Sequence, residues 1–136
     1  MDDKSKNDVD DEKWTVWQPL ETVRKGDKRF PDSLVIQDNL GTHIILEDDI
    51  YKITIDFNGW IVALMKTDEG ARLNTDWSRL KGTFWKVENS KFLSLIKKES
   101  SGLYGNHIPV EHFVIITEND IVEVISTYSP EVLIEE

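Results

Sequence analysis

The 136-residue chain contains no cysteine. That excludes a disulfide framework, a thiolate zinc site and a cysteine nucleophile, and it fits a reducing compartment. Long apolar runs are also missing. The longest, Trp60–Met65 and Phe113–Ile116, fall far short of the roughly 20 residues a membrane-spanning helix needs. Basic residues are scarce, with 16 Lys and Arg against 26 Asp and Glu and a net charge of −10. Nucleic-acid binding depends on neutralising phosphates with Lys and Arg, so no nucleic-acid partner is expected, and an anionic membrane surface is disfavoured for the same reason. The one basic stretch, Arg24-Lys25-Gly26-Asp27-Lys28-Arg29, is interrupted by its own aspartate. A basic protein partner is favoured instead, because complementary charge speeds encounter. Solubility alone is the plainer use of such acidity.

What is present reads as one ordinary globular domain. The hydrophobic fraction of 39% and the charged fraction of 31% are near globular averages, and the length suits a single core. The opening MDDKSKNDVDDEK holds Val9 as its only apolar residue after Met1. It is expected to be a disordered acidic tail over 1–13, neither signal nor transit peptide, followed by a single domain over 14–136. A cytoplasmic location follows as an expectation. The acids of the tail lack the central glycine and distant glutamate of a calcium loop.

Strand signals dominate the domain. Leu34-Val35-Ile36 is a short β-prone run, Asp38-Asn39-Leu40-Gly41 is a turn by composition, and Thr42–Glu47 is the next strand. Asp48-Asp49 closes a further turn. Tyr51–Phe57 alternates strictly, with Tyr51, Ile53, Ile55 and Phe57 on one face. Asn58-Gly59 then precedes Trp60–Met65. An Asn-Gly pair between strand-like runs predicts a type I′ hairpin, which would set Phe57 opposite Trp60, and the second strand, apolar on both faces, is expected to lie central in the sheet or under a helix. Thr67–Leu80 reads as a loop with a helical turn near Asp76–Leu80. Strands follow at Gly82–Val87, Glu111–Thr117 and Ile121–Ile125, with a turn at Asn119-Asp120. Val132-Leu133-Ile134 follows Pro130.

One helix stands out. Asn89 or Ser90 can cap it, Phe92, Leu93, Leu95 and Ile96 form a broad apolar face, and Lys97 and Lys98 suit the negative end of the dipole. Gly102 is placed to terminate it. The expected fold is α+β, an antiparallel twisted sheet of about six to eight strands with this helix packed on a face.

Catalytic signatures are absent. His43, His107 and His112 are scattered without metal-ligand spacing. Neither GxSxG nor SxxK occurs, and Gly102-Leu103-Tyr104-Gly105 has neither the spacing nor the lysine of a phosphate loop. Carboxylates cluster at Glu47-Asp48-Asp49 and at Glu118, Asp120 and Glu123. Paired acids can hydrolyse glycosides, but at turns they serve solubility and Asx turns more often. No catalytic residue, metal or cofactor is assigned. Five tryptophans are present. Trp60 and Trp85 are expected in the core, and Trp77, beside Asp76 and Arg79, is the candidate for exposure at an interface.

The run Phe84–Phe92, the helix to Ser101-Gly102, and Glu111–Ile125 together resemble a group of small bacterial proteins similar in size, acidity and layout to immunity proteins of polymorphic toxin systems. The resemblance covers the C-terminal half and brings no binding residue with it. It implies a non-enzymatic protein that neutralises a basic, nuclease-like toxin by direct binding. From the residues themselves, the contact surface is expected to use Glu47, Asp48, Asp49, Asp76, Trp77, Glu118 and Asp120. A small hydrolase or isomerase with a carboxylate and histidine site, which would place His112 with two acids in a concave pocket, is the second expectation. A structural or regulatory subunit, which would expose a sizeable apolar patch, is the third.

Overall fold

The computed structural model describes residues 12–16, 29–72 and 83–135. Among the described residues there are nine strands: β1 (Lys13–Val16), β2 (Ser33–Asp38), β3 (Gly41–Glu47), β4 (Lys52–Asn58), β5 (Ala63–Asp68), β6 (Phe84–Glu88), β7 (Glu111–Ile116), β8 (Asp120–Ser126) and β9 (Glu131–Glu135). One α-helix, α1 (Lys91–Glu99), joins them among the described residues. All strand pairs are antiparallel. The α+β class with a single helix is therefore as the pattern of the chain leads one to expect.

The strands divide into two sheets, ordered β1-β6-β7-β8-β5 and β2-β3-β4-β9. Alternation explains how they meet. Ile44 and Leu46 of β3 and Ile53, Ile55 and Phe57 of β4 point to one side of the four-stranded sheet. There they form one buried cluster with Phe84, Phe113, Ile115, Val122 and Val124 of the five-stranded sheet. The Phe57 and Phe113 rings meet edge to face at 5.6 Å across this interior. The two sheets thus pack face to face.

The other face of the five-stranded sheet is covered as well. Trp85, Val87, Val114, Ile116 and Ile121 form a second buried cluster, joined by Trp14. Strands buried on both faces read as continuous apolar runs rather than alternating ones, which is why every residue of β8 is buried. Helix α1 touches this face through Phe92, whose ring meets His112 edge to face at 5.6 Å. Ser90 caps its start by accepting the Leu93 N–H, and Glu12 accepts the Lys91 N–H. The expected tail over 1–13 lies outside the described residues except for Glu12, so engaged, and Lys13, which begins β1.

Two local expectations are corrected. Asn58-Gly59 does not close a hairpin: β4 pairs with β3 and β9, and β5 pairs with β8 in the other sheet. A type I′ turn needs positive φ at both central residues, and of these two only Gly59 has it, at 111°. The chain crosses between sheets here, so Phe57 lies opposite Thr42, Trp60 is 89% exposed, and β5 is an edge strand. The helix terminator is also displaced by one residue. Ser101 takes the left-handed position at φ 54°, followed by Gly102 at 82°. The bonds Gly102 N–H to Lys97 O and Ser101 N–H to Lys98 O complete the motif.

Candidate functional site

The solvent-facing side of the four-stranded sheet is the most distinctive surface. Register places Leu34, Ile45, Thr54 and Leu133 in one row across all four strands. Leu34 is 54% exposed and Leu133 58%, and Ile36 in the next row is exposed too. Side chains on this face alternate with those that fill the core, so their exposure follows from the pleat. A row with apolar residues on three of its four strands, Thr54 being the fourth member, is more than the scattered surface hydrophobics normal for a soluble chain.

Carboxylates surround the row. One flank carries Ile36, His43, Asp56 and Glu131, with Asp38 at the strand end, and the other carries Glu47, Lys52 and Glu135. The face therefore holds the acids Asp38, Glu47, Asp56, Glu131 and Glu135 against Lys52 as its one lysine. Asn58 donates to Glu131, fixing that carboxylate at the rim. His43 lies between Asp56, 2.7 Å from Nδ1, and Asp38, 3.2 Å from Nε2. Partial burial pulls the imidazolium down, but hydrogen bonds to Asp38 and Asp56 and their charges outweigh it, so its pKa is raised above the usual histidine value. The Asp38 carboxyl is held below its ordinary value by the Leu40 N–H and by His43. Behind this face the Tyr128 hydroxyl is buried without a hydrogen-bond partner. Burial and the charge of Asp56 raise its pKa.

The acids expected at an interface take several roles. Glu47 lies on the face just described, and Asp49 is exposed in the β3–β4 turn. Asp48 accepts from the Ile50 and Tyr51 N–H groups and so shapes that turn. Glu118 is exposed in the β7–β8 turn, where its N–H bonds Phe30 O. Because Ser33 lies opposite Leu46 and bonds Asp120, both turns are at the same end of the molecule. Asp120 itself is not a surface contact. It is buried, accepts from Ser33 Oγ at 3.0 Å and Thr117 Oγ1 at 2.8 Å, and lies 3.7 Å from Lys66 Nζ. Its charge is spent inside the protein, joining β2 to β8 across the two sheets. Asp76 and Trp77 lie outside the described residues, as do the helical turn expected near them and Arg24–Lys28. The apolar row was missed because Leu34-Val35-Ile36 and Val132-Leu133-Ile134 read simply as strands. Which sides of an apolar run face water is decided by its partners.

His112 is not in a concave pocket with two acids. It is buried, with Nδ1 2.7 Å from Ser90 Oγ and Nε2 3.1 Å from Glu123 Oε1, and both partners are buried too. This serine, histidine and carboxylate are arranged like a nucleophilic set. Yet Ser90 Oγ is the helix cap, occupied by the Leu93 N–H and 1% exposed with its residue. The trio ties α1 to β7 and β8. Among the described residues no group of three or more His, Asp or Glu is arranged to hold a metal ion, and no helix is long and apolar enough to cross a membrane. No family model, curated protein or solved structure matches the chain, which leaves the chemistry of the exposed face to point to a partner.

Proposed function

We propose that the chain is a non-enzymatic binding protein that takes a basic protein partner on the outer face of its four-stranded sheet, as a cytoplasmic bacterial immunity protein masks a basic, nuclease-like toxin. The observation that carries this reading is the row of exposed Leu34 and Leu133 with half-buried Ile45 between them, inside a largely carboxylate rim. Interfaces combine a desolvated apolar centre with a polar edge. Here the edge is mostly acidic, five carboxylates against Lys52 and His43, which would steer a basic partner and disfavour an acidic one. The net charge of −10 extends the same field over the molecule.

The test is affinity capture by the tagged full chain from a lysate of its source organism, followed by binding measurements on the purified pair. Wild type is compared with the double variant Leu34→Glu, Leu133→Glu. Both positions are exposed, so circular dichroism should be unchanged. The reading expects a basic protein that binds wild type, is lost by at least about tenfold in the variant, and dissociates as salt rises. Capture of an acidic protein through the same row, insensitive to salt, would instead support a structural or regulatory subunit, since the exposed row suits that role as well. Absence of any partner dependent on Leu34 and Leu133 overturns both.

A further inference from the structure

The end of the molecule opposite the acidic turns has a different shape. The chain leaves β4 at Asn58, crosses through Gly59–Val62 and enters β5 at Ala63. Trp60 lies in this crossing with its indole almost wholly in solvent. It contributes little to packing the fold, and tryptophan is enriched among the residues that carry binding energy at interfaces. Beside it is a cavity of about 370 Å³ lined by Gln37, Asp38, Thr42, Trp60, Ile61 and Leu64, among others. Ligand pockets span roughly 300–1,000 Å³, so this one suits a single long side chain better than a cofactor.

Its chemistry is mixed in a specific way. Trp60, Ile61 and Leu64 give apolar walls, while Asp38 and Gln37 supply acceptors. The Asp38 contacts to Leu40 N–H at 2.8 Å and to His43 Nε2 at 3.2 Å both fall on Oδ1, and the Gly41 N–H also bonds the carboxylate, so an incoming cation would share Asp38 with these groups. Gln37 Nε2 donates to Thr42 Oγ1 at 3.2 Å, which leaves its carbonyl oxygen as an acceptor. Among the described residues no Lys or Arg lines the cavity, and His43 meets the Asp38 carboxylate from the outer face of the sheet. An aromatic face, a carboxylate, a neutral acceptor and apolar walls together complement a flat cation carried on a methylene stem.

We infer that this cavity is an arginine-binding site that receives one side chain of the basic partner. The guanidinium stacks on Trp60 and donates to Asp38 and Gln37, and the stem lies along Ile61 and Leu64. Lysine matches the charge but not the planar fork. The source of the arginine rests on the basic-partner reading, while the cavity can be tested without it.

The full chain is titrated with N-acetyl-arginine methylamide and followed by NMR, with the Trp60 indole N–H assigned by its loss in Trp60→Phe. Saturable shifts are expected at the Trp60 indole and the Gln37 carboxamide. The same titration uses the lysine, citrulline and norleucine analogues. Arginine should bind at least about fivefold more tightly than any of them, and Asp38→Asn should weaken it by a similar factor. In Trp60→Ala, a substitution at an exposed position, the saturable shifts should vanish while the rest of the spectrum persists. Equal binding of citrulline or norleucine overturns the inference, because the site is then not cation-selective. Shifts spread over the acidic surface and unchanged in Trp60→Ala overturn it too. If a basic protein is captured through Leu34 and Leu133 while the cavity takes no arginine, the cavity alone is refuted. If arginine binds but no basic partner exists, the proposed function fails and the cavity stands.

Discussion

His43 sits between Asp38 and Asp56 on the open face of the four-stranded sheet, and the hydrogen bonds and charges of the two carboxylates raise its pKa. A group whose folded pKa is raised binds its proton more tightly in the folded state. Its contribution is fully present below the unfolded value near 6.5 and is lost as pH rises through the higher folded value. Asp38 works in the other sense. Its lowered pKa contributes above the ordinary value of 3.8 and is lost as pH falls through the folded one. The pair is therefore fully formed between these limits. His43→Gln keeps a hydrogen-bonding side chain but cannot titrate. The stability difference between wild type and His43→Gln, measured by urea unfolding, should be largest near pH 5 and shrink as pH rises through the raised folded pKa. A difference that grows towards alkaline pH would show that the carboxylates do not hold the imidazolium.

At the scale of elements, α1 shows how a helix end can be read almost correctly and still be misassigned by one residue. Ser90, Phe92 and the terminal lysines act as their types suggest. The terminator, however, is Ser101 at φ 54°, ahead of Gly102. A left-handed backbone is unfavourable for a residue with a Cβ and nearly free for glycine. Ser101→Gly should therefore raise stability by about 0.5–1 kcal/mol, seen as a higher thermal midpoint with an unchanged fold. A lower midpoint would mean that the serine side chain holds the turn. Most strands were legible for the same local reason, since Ile53, Ile55 and Phe57 alternate and turn residues flank them. The Asn58-Gly59 hairpin was not. Local chemistry permits that turn, but Phe57 is fully buried facing Phe113 across the sheets. The long-range choice wins because it adds to the core. The exposed row was hidden for a related reason: Leu34, Ile45 and Leu133 become neighbours only through register, across a hundred residues of chain.

The whole molecule depends on how its two sheets are joined. Most of the bond is apolar, through the shared cluster around Phe57 and Phe113. Asp120 adds a polar clamp at the end where the acidic turns meet. From β8 it accepts Ser33 Oγ of β2 at 3.0 Å, while Lys66 of β5 reaches both Asp120 and the Ser33 carbonyl. A buried carboxylate is tolerable because these donors replace the water it gave up. Removing it strands them instead. Asp120→Ala should cost about 2–3 kcal/mol in urea unfolding, the scale of buried hydrogen bonds to a charge. Asp120→Asn keeps an acceptor for Ser33 Oγ and Thr117 Oγ1, loses the attraction for Lys66, and should fall between Ala and wild type. If Asp120→Ala cost less than the Asn variant, the charge would be a liability retained for binding, and the turn at Glu118 would belong with Glu47 and Asp49 in a second acidic contact surface. The expected order, with Ala the worst, places Asp120 inside the architecture and leaves the proposed recognition of a basic partner to the open face.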